Sequence, residues 1–399
     1  MATAERWRPT PVFLLTAYGP TVLASAGLGA VTPLIALTAR DLGASVGLAA
    51  FVVALLGIGQ LAGDLPAGVL AARIGEKRAL LLACVLEAVA LLVACFAPSL
   101  LVLGLAVLAC GTASSILGLA RQSYFTVAVP RAYRARALSS LGGSHRIGFF
   151  VGPLVGAALI SVWDLSAAYA FAAVMSGLAA LATLALPDLP DLPEARGPTS
   201  GPPRRVTLAG VLWAHRRVLG TVGVGVLLIM MARATRQSII PLWAESQGVS
   251  PATTSVIFGL SSALDMLMFY PGGWVMDRFG RFWVAVPAVA VLGLGMVLLP
   301  LTSSALTIAL VAFMMGLGNG ISSGVVMTLG ADASPAVGRS QFLAGWRLMA
   351  DTGTAVGPLI ITAVTAVATL GLASVTVGAV ALVGIGWLVR WLPRTRRAP

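Results

Sequence analysis

Long apolar stretches alternate with short polar turns along almost the whole chain. Each is about as long as a membrane-spanning helix requires, ~20 residues. The pattern predicts spans at 11–37, 46–71, 78–97, 100–128, 138–162 and 165–186. A second set follows at 218–244, 253–276, 282–302, 304–330, 341–368 and 370–392. Between the sets lies Pro187–Arg217, rich in proline and charge, which reads as a linker. Its later part, Val206–Trp213, is apolar between arginines; it either lies along the membrane surface or forms an ordinary loop. The expected fold is an all-α membrane protein of twelve transmembrane helices in two six-helix bundles. The divisions are residues 1–187 for the first bundle, 188–217 for a cytoplasmic linker and 218–399 for the second bundle with its basic tail.

The two sets repeat one another. Gly68, Arg73 and Gly75, in the turn after the second span, are each followed 205 residues later by Gly273, Arg278 and Gly280. The same offset links Pro66 to Pro271, Pro130 to Pro335, Arg134 to Arg339, Gly148 to Gly353, Gly152 to Gly357 and Pro153 to Pro358. A repeat of this size is too long for a solenoid. Two parallel six-helix repeats related by a pseudo-two-fold axis are a secondary-transporter architecture, with the substrate held between them near mid-membrane.

Composition agrees, with 58% hydrophobic and 10% charged residues and a mean hydropathy of +0.95. The net charge of +12 does not indicate nucleic acid, because the arginines fall in turns between apolar spans. They concentrate in the even-to-odd turns, the linker and both ends, leaving only Arg40 among the opposite loops. The positive-inside rule therefore places both termini and the linker in the cytoplasm of a multi-pass protein of the cell inner (plasma) membrane. Cys84, Cys95 and Cys110 lie inside apolar stretches and read as buried small hydrophobes. The first apolar run is too long for a signal-peptide core. With His145 and His215 as its only histidines, and no HExxH or GxSxG pattern, the chain offers no catalytic constellation, no metal site and no cofactor site. Gly316–Gly320 follows no strand and reads as helix packing rather than a nucleotide loop.

The turn after span 2, with Gly68, Leu70, Ala71, Arg73, Gly75 and Lys77, resembles the Gly-x-Leu-Ala-Asp-Arg-x-Gly-Arg-Lys motif of the major facilitator superfamily. Ala72 and Glu76 depart from it, whereas the second copy keeps Asp277, Arg278, Gly280 and Arg281. In span 5, Gly148-Phe149-Phe150-Val151-Gly152-Pro153-Leu154-Val155-Gly156-Ala157 resembles the Gly-x-x-x-Gly-Pro-x-x-Gly-Gly motif of the drug:proton antiporters. The arginine of the antiporters' helix 4 is absent: Val107 stands there, with Arg121 further along. The resemblance implies a transporter that latches its cytoplasmic side through the turn motifs. Asp277 is expected beside Arg278 or Arg281, or near a helix N-terminus. The Gly148/Gly152/Gly156 stripe, with Pro153, is expected to make either a bundle-to-bundle seal or plain tight packing.

Charges inside the spans carry the functional information, since each costs about 2.5–3.5 kcal/mol unless paired or wet. They are Asp64, Glu87, Arg121 and Arg146 in the first bundle, and Arg233, Arg236, Asp265, Arg347 and Asp351 in the second. Counted at ~1.5 Å per residue, Asp64, Arg121 and Arg146 lie roughly 12 Å deep, near the depths of Arg347, Asp351 and Asp265. In the family, helix 2 faces helix 11 and helix 5 faces helix 8. That implies the pairs Asp64–Arg347 and Arg146–Asp265, with Arg347–Asp351 (i,i+4) as the alternative.

A carboxylate that gains and loses an arginine partner releases and takes up a proton. Asp265 and Asp64 lead as proton-coupling candidates, with Glu87 third; His145 is either a group that titrates near neutrality or a satisfied buried histidine. Arg233 and Arg236 lie one turn apart just before Ser238 and Pro241, where a break in the helix is expected; either both face a cavity and select anions, or Arg233 only neutralises Asp265. Arg146 and Arg121 complete the candidate cavity. The expected partners are a small-molecule substrate, protons and the lipid bilayer, with the protein acting as a monomer. The leading expectation is proton-coupled export of small amphipathic or anionic compounds. The alternatives are import of an organic anion or nutrient, and a sensor that does not transport.

Overall fold

Serine, threonine and aspartate side chains decide where half of the spans begin. In the computed structural model, which describes residues 11–130, 133–186, 208–335 and 337–392, Ser45 caps α3 (Val46–Ile74) and Ser99 caps α5 (Leu100–Ala128). Asp164 caps α7 (Leu165–Leu184), and the second repeat caps α11 (Pro251–Phe279), α13 (Ala305–Ile321) and α16 (Leu370–Trp391) with Ser250, Ser304 and Thr369. Each cap accepts a backbone N–H that the helix start leaves unpaired. The six form three pairs at the 205-residue offset: 45 and 250, 99 and 304, 164 and 369. All lie at the face opposite the arginine-rich turns, called here the far side; the other is the basic side.

The remaining elements are α1 (Pro11–Val31), α2 (Ile35–Asp41), α4 (Glu76–Cys95), α6 (Arg134–Val162), α8 (Leu208–Ala214) and α9 (Arg216–Val218), followed by α10 (Val224–Ser246), α12 (Phe282–Leu298), α14 (Val325–Ala333) and α15 (Arg339–Thr365). Twelve spans result among the described residues. The first is broken between α1 and α2 and runs to Asp41, beyond the expected 37. The tenth is broken between α13 and α14. The seventh opens with a π-helical turn, Leu219–Gly223, and then runs through Pro241 to Ser246 without the break expected there. Residues 1–10, 187–207 and 393–399, on which part of the linker and orientation reading rests, lie outside the described residues. The described end of the linker, Leu208–Ala214, is a short helix against α15, where Gly345 leaves room for Leu212.

Within the first bundle α3 packs on α5, α1 on α6 and α7, and α4 on α5 and α7; α10 on α15, α11 on α13 and α12 on α16 organise the second. Small residues set these distances. A Cβ on Gly152 would overlap the Ala26 carbonyl, and one on Gly148 would stand 2.6 Å from Ser25 Cβ. The Gly148/Gly152/Gly156 stripe thus seats α6 on α1 inside one bundle. The bundle-to-bundle seal expected of it is not what these glycines make. Their counterparts Gly353 and Gly357 seat α15 on α10 in the same way.

The bundles meet through α3 against α15, α6 against α11 and α2 against α10. The tightest approaches are in the far half, where Gly57 faces Thr354 and Ala355, Gly47 faces Thr362 and Thr365, and Gly259 faces Leu154. Arg40 at the far end of span 1 pairs with Glu245 at the far end of span 7, Nε to Oε1 at 3.0 Å. The molecule is closed on the far side.

Candidate functional site

Two arginine–carboxylate pairs join the bundles midway through the membrane. Arg146 on α6 pairs with Asp265 Oδ1 on α11, and its guanidinium also lies over the Phe269 ring, 4.9 Å from the centroid. Arg347 Nε on α15 lies 2.8 Å from Asp64 Oδ1 on α3. Both contacts are those implied by the helix 5–helix 8 and helix 2–helix 11 facings. The intrahelical alternative coexists with the second, since Asp351 Oδ2 stands 3.5 Å from the same Arg347 Nε. One guanidinium nitrogen therefore stands near two carboxylates, and Asp64, its side chain 5% exposed, also accepts from the Ser115 hydroxyl. The Oδ2 atoms of Asp64 and Asp351 are buried and have no hydrogen-bond donor among the described residues.

Around Asp265 the site is wider than the sequence indicated. Its Oδ2 accepts from Asn319 Nδ2 at 2.6 Å, and Asn319 Oδ1 accepts from Arg233 Nε at 2.8 Å. Asn319 reaches this position because α13 lies close on α11. A Cβ on Gly316 would overlap the Ser261 carbonyl, and one on Gly320 the Asp265 carbonyl. The glycine run read only as packing thus also delivers a polar bridge. Asn319 was missed because a lone amide in an apolar span resembles a helix-packing residue; its position between two close-approach glycines was the available signal.

Arg233 and Arg236 do not share a role. Arg233 is half-buried and reaches Asp265 through Asn319, and among the described residues its Nη1 has only Met230 Sδ, at 4.0 Å. Arg236 is 3% exposed, donates from Nη2 to Ser261 Oγ at 2.8 Å and lies over Phe258. The expectation of two arginines facing one cavity is corrected: Arg236 turns into the α10–α11 contact, where Nη2 meets a buried serine and the guanidinium an aromatic face, while Nε has no hydrogen-bond acceptor among the described residues. His145, beside Arg146, is exposed, with Nδ1 2.7 Å from Ser25 Oγ.

Glu87 and Arg121 lie away from the bundle interface. Glu87, 1% exposed, accepts from Ser114 at 3.3 Å and Ser176 at 3.0 Å, inside the first bundle. Arg121 lines a small pocket between α1, α4, α5 and α7 with Thr21, Leu117 and Phe125. Its placement in a shared substrate cavity is therefore corrected, since helices of one bundle surround it.

At the basic side Gly75 and Gly280 end α3 and α11 with φ of 86° and 101°, values that favour glycine. The pairing expected of Asp277 is not formed. Asp277 is exposed, Arg278 lies over Trp274 and Phe279, and Arg281 Nε pairs with Asp332 Oδ2 at 2.8 Å. That pair ties α12 to α14 within the second bundle. At the equivalent position Glu76 accepts from the neutral Ser123 hydroxyl at 3.0 Å and ties α4 to α5, so the first copy has a hydrogen bond where the second has an ion pair. Gly68 and Gly273 face open space, and Arg73 is exposed.

Comparison with known proteins agrees with this architecture. No curated protein matches the chain. Among solved structures, a point mutant of the nucleoside transporter NupG superposes with a TM-score of 0.78 at 16% identity, covering 96% of this chain and 100% of that one. A POT family transporter in complex with a thioalcohol-conjugated peptide gives 0.77 at 11% identity, covering 94% and 95%. A D-xylose-proton symporter gives 0.75 at 13% identity, covering 96% and 99%. The Major Facilitator Superfamily model matches residues 20–336 and, in a second alignment, 222–399, so that both repeats are covered. The chain therefore belongs to the Major Facilitator Superfamily and is a multi-pass membrane transporter rather than an enzyme.

Proposed function

We propose that this protein is a proton-coupled secondary transporter of small organic anions, working by alternating access between its two bundles. One observation carries the reading: Asp265 is held from the opposite bundle by Arg146 and from its own bundle by Arg233 through Asn319. Rocking of the bundles, which opens the far-side contacts, separates Arg146 from Asp265. A carboxylate that loses its guanidinium in a low-dielectric site takes up a proton. Asp64, held from the opposite bundle by Arg347, is the second such group.

The chemistry around Asp265 favours an anionic substrate. Three arginines stand near one acid, and among the described residues Arg233 Nη1 meets only a thioether sulfur, a weak acceptor. Guanidinium donors of that kind pair with carboxylate or phosphate. The similar solved structures include a proton symporter and a POT family transporter in complex with 5-aminolevulinic acid, which supports proton coupling and small polar cargo. Both halves of the site come from one chain, consistent with a monomer in the bilayer. The arginine-rich turns support a cytoplasmic basic side, and in that orientation the arrangement described is closed to the exterior. Export is the second reading; it rests on the span 5 resemblance to drug:proton antiporters.

The test uses purified protein in oriented proteoliposomes with an imposed pH gradient. Proton-driven flux of a radiolabelled organic acid is expected in the wild type and absent in Asp265→Asn, while substrate exchange without a gradient persists. Full gradient-driven flux in Asp265→Asn rejects the proposal, and the direction of flux relative to the gradient decides between import and export.

A further inference from the structure

Asn319 is 6% exposed and has a fixed polarity in its place. An arginine only donates and an ionised carboxylate only accepts, so the amide must offer Oδ1 to Arg233 and Nδ2 to Asp265. The amide therefore holds the guanidinium in line with the carboxylate while Asp265 is charged. Once Asp265 carries a proton, its hydroxyl also donates, and the amide is no longer required in that orientation. The counter-charge that draws Arg233 inward is lost at the same moment.

The charges facing Asp265 all have one sign. Arg146 stands on α6, with His145 beside it, and Arg233 and Arg236 stand on α10. Neither α12 nor α13 contains an ionisable residue within its helix. Protonation of Asp265 therefore leaves the arginines with no acid among them. An anion entering at Arg233 then supplies the missing charge.

We infer that Asn319 is the positioning residue that couples proton and anion: it tethers Arg233 to charged Asp265 and frees it for an anionic substrate group when Asp265 is protonated. This rests on the anion-transport reading above and deepens it by fixing the sign of the linkage. Proton and anion bind together, so the two are cotransported. By reciprocity the anion raises proton occupancy as much as the proton raises anion affinity.

The experiment measures binding of benzoate, lactate and inorganic phosphate to the purified full-length protein at about pH 6 and about pH 8 by calorimetry. One proton taken up per anion gives up to about tenfold tighter binding per pH unit lowered. The wild type is expected to bind at least one probe more tightly at the lower pH. Asn319→Ala should bind it more tightly than wild type at the higher pH and show a pH ratio at least about threefold smaller, by the same linkage. Asn319→Ser serves where the alanine variant unfolds early in a probe-free melt. Arg233→Gln should weaken binding at both pH values. An unchanged pH ratio in the Asn319 variants, with or without a uniform loss of affinity, overturns the inference. If Asp265→Asn loses gradient-driven flux in the same preparations, that result leaves the proposed function standing. Absence of binding of all three probes to the wild type overturns the anionic-substrate reading itself.

Discussion

Arg40 and Glu245 stand 205 residues apart, at equivalent positions of the two repeats, and meet as an ion pair on the far side. The Arg40 Nε lies 3.0 and 3.1 Å from the two Glu245 oxygens, and its Nη1 donates to the Ala44 carbonyl at 2.6 Å. Equivalent residues that touch must straddle the pseudo-symmetry axis. The pair therefore closes the far side where the two bundles face each other most directly.

Both side chains are 32% exposed, so the pair is worth about 0.2–1 kcal/mol rather than a buried pair's several. That is enough to shift a two-state balance about 1.4- to fivefold at RT of about 0.6 kcal/mol. Arg40→Ala and Glu245→Ala are each expected to raise the far-side-open population by that factor, read by labelling of single cysteines placed near the far-side rim. The exchange Arg40→Glu with Glu245→Arg should restore most of the closure. Equal labelling in all variants would show that the pair contributes nothing to closure.

Arg347 serves two acids, and the more buried of them decides its cost. Arg347→Gln leaves Asp64 charged and nearly inaccessible, and breaking such a pair costs about 3–5 kcal/mol unless the acid is neutralised. Adding Asp64→Asn should recover most of the loss in a thermal melt. Asp351→Asn, which removes the longer 3.5 Å contact, should cost far less. If Asp351→Asn proves as damaging as Arg347→Gln, Asp64 is not the principal partner.

The fold was legible because the repeat writes it twice. Hydropathy located all twelve spans, and the 205-residue offset recurs in the helix caps and in the positive φ of Gly43 and Gly248. The mid-membrane pairs were legible as well, because charges are few and helix facing limits their partners. Less could be read where the partner is neutral. Asn319, Ser115 and Ser261 resemble ordinary residues of an apolar helix until a neighbouring span is placed beside them. Arg236 was misread for the complementary reason: spacing of three residues suggests a shared face, yet close α10–α11 packing gave it a serine and a phenylalanine ring instead. Glu245 could have been found by asking what stands one repeat away from Arg40.

Asp164 gives a pH dependence outside the membrane spans. Its carboxylate is held below the ordinary aspartate range by the Ser166 hydroxyl, an effect that outweighs burial, and by the backbone N–H groups of Ser166 and Ala167. A depressed acid stabilises the native state above its unfolded pKa, about 4, and that contribution is lost as pH falls through the folded value. Amide protection factors in the first turn of α7, corrected for the intrinsic pH dependence of exchange, should therefore fall below about pH 4 in the wild type. Asp164→Asn, a cap without a charge, should show no such acid step. An identical acid step in both proteins would assign the effect elsewhere.

The glycine stripes predict a contrast within one motif family. Gly152 and Gly357 occupy equivalent places, each pressed on the backbone of the helix beside it, Ala26 for the first and Met231 for the second. An added methyl must push the helices apart, and such overpacking costs about 1–3 kcal/mol. Gly68 lies in a helix and faces open space, so alanine there removes a helix-weakening glycine and is expected to be neutral or to stabilise by up to about 1 kcal/mol. Thermal melts of Gly152→Ala, Gly357→Ala and Gly68→Ala should thus give two losses of similar size and no loss in the third. Because the stripes pack within each bundle, the first two should lower stability while leaving the balance between far-side-open and far-side-closed states nearly unchanged. A large shift of that balance with little loss of stability would mean that the stripe acts between the bundles after all.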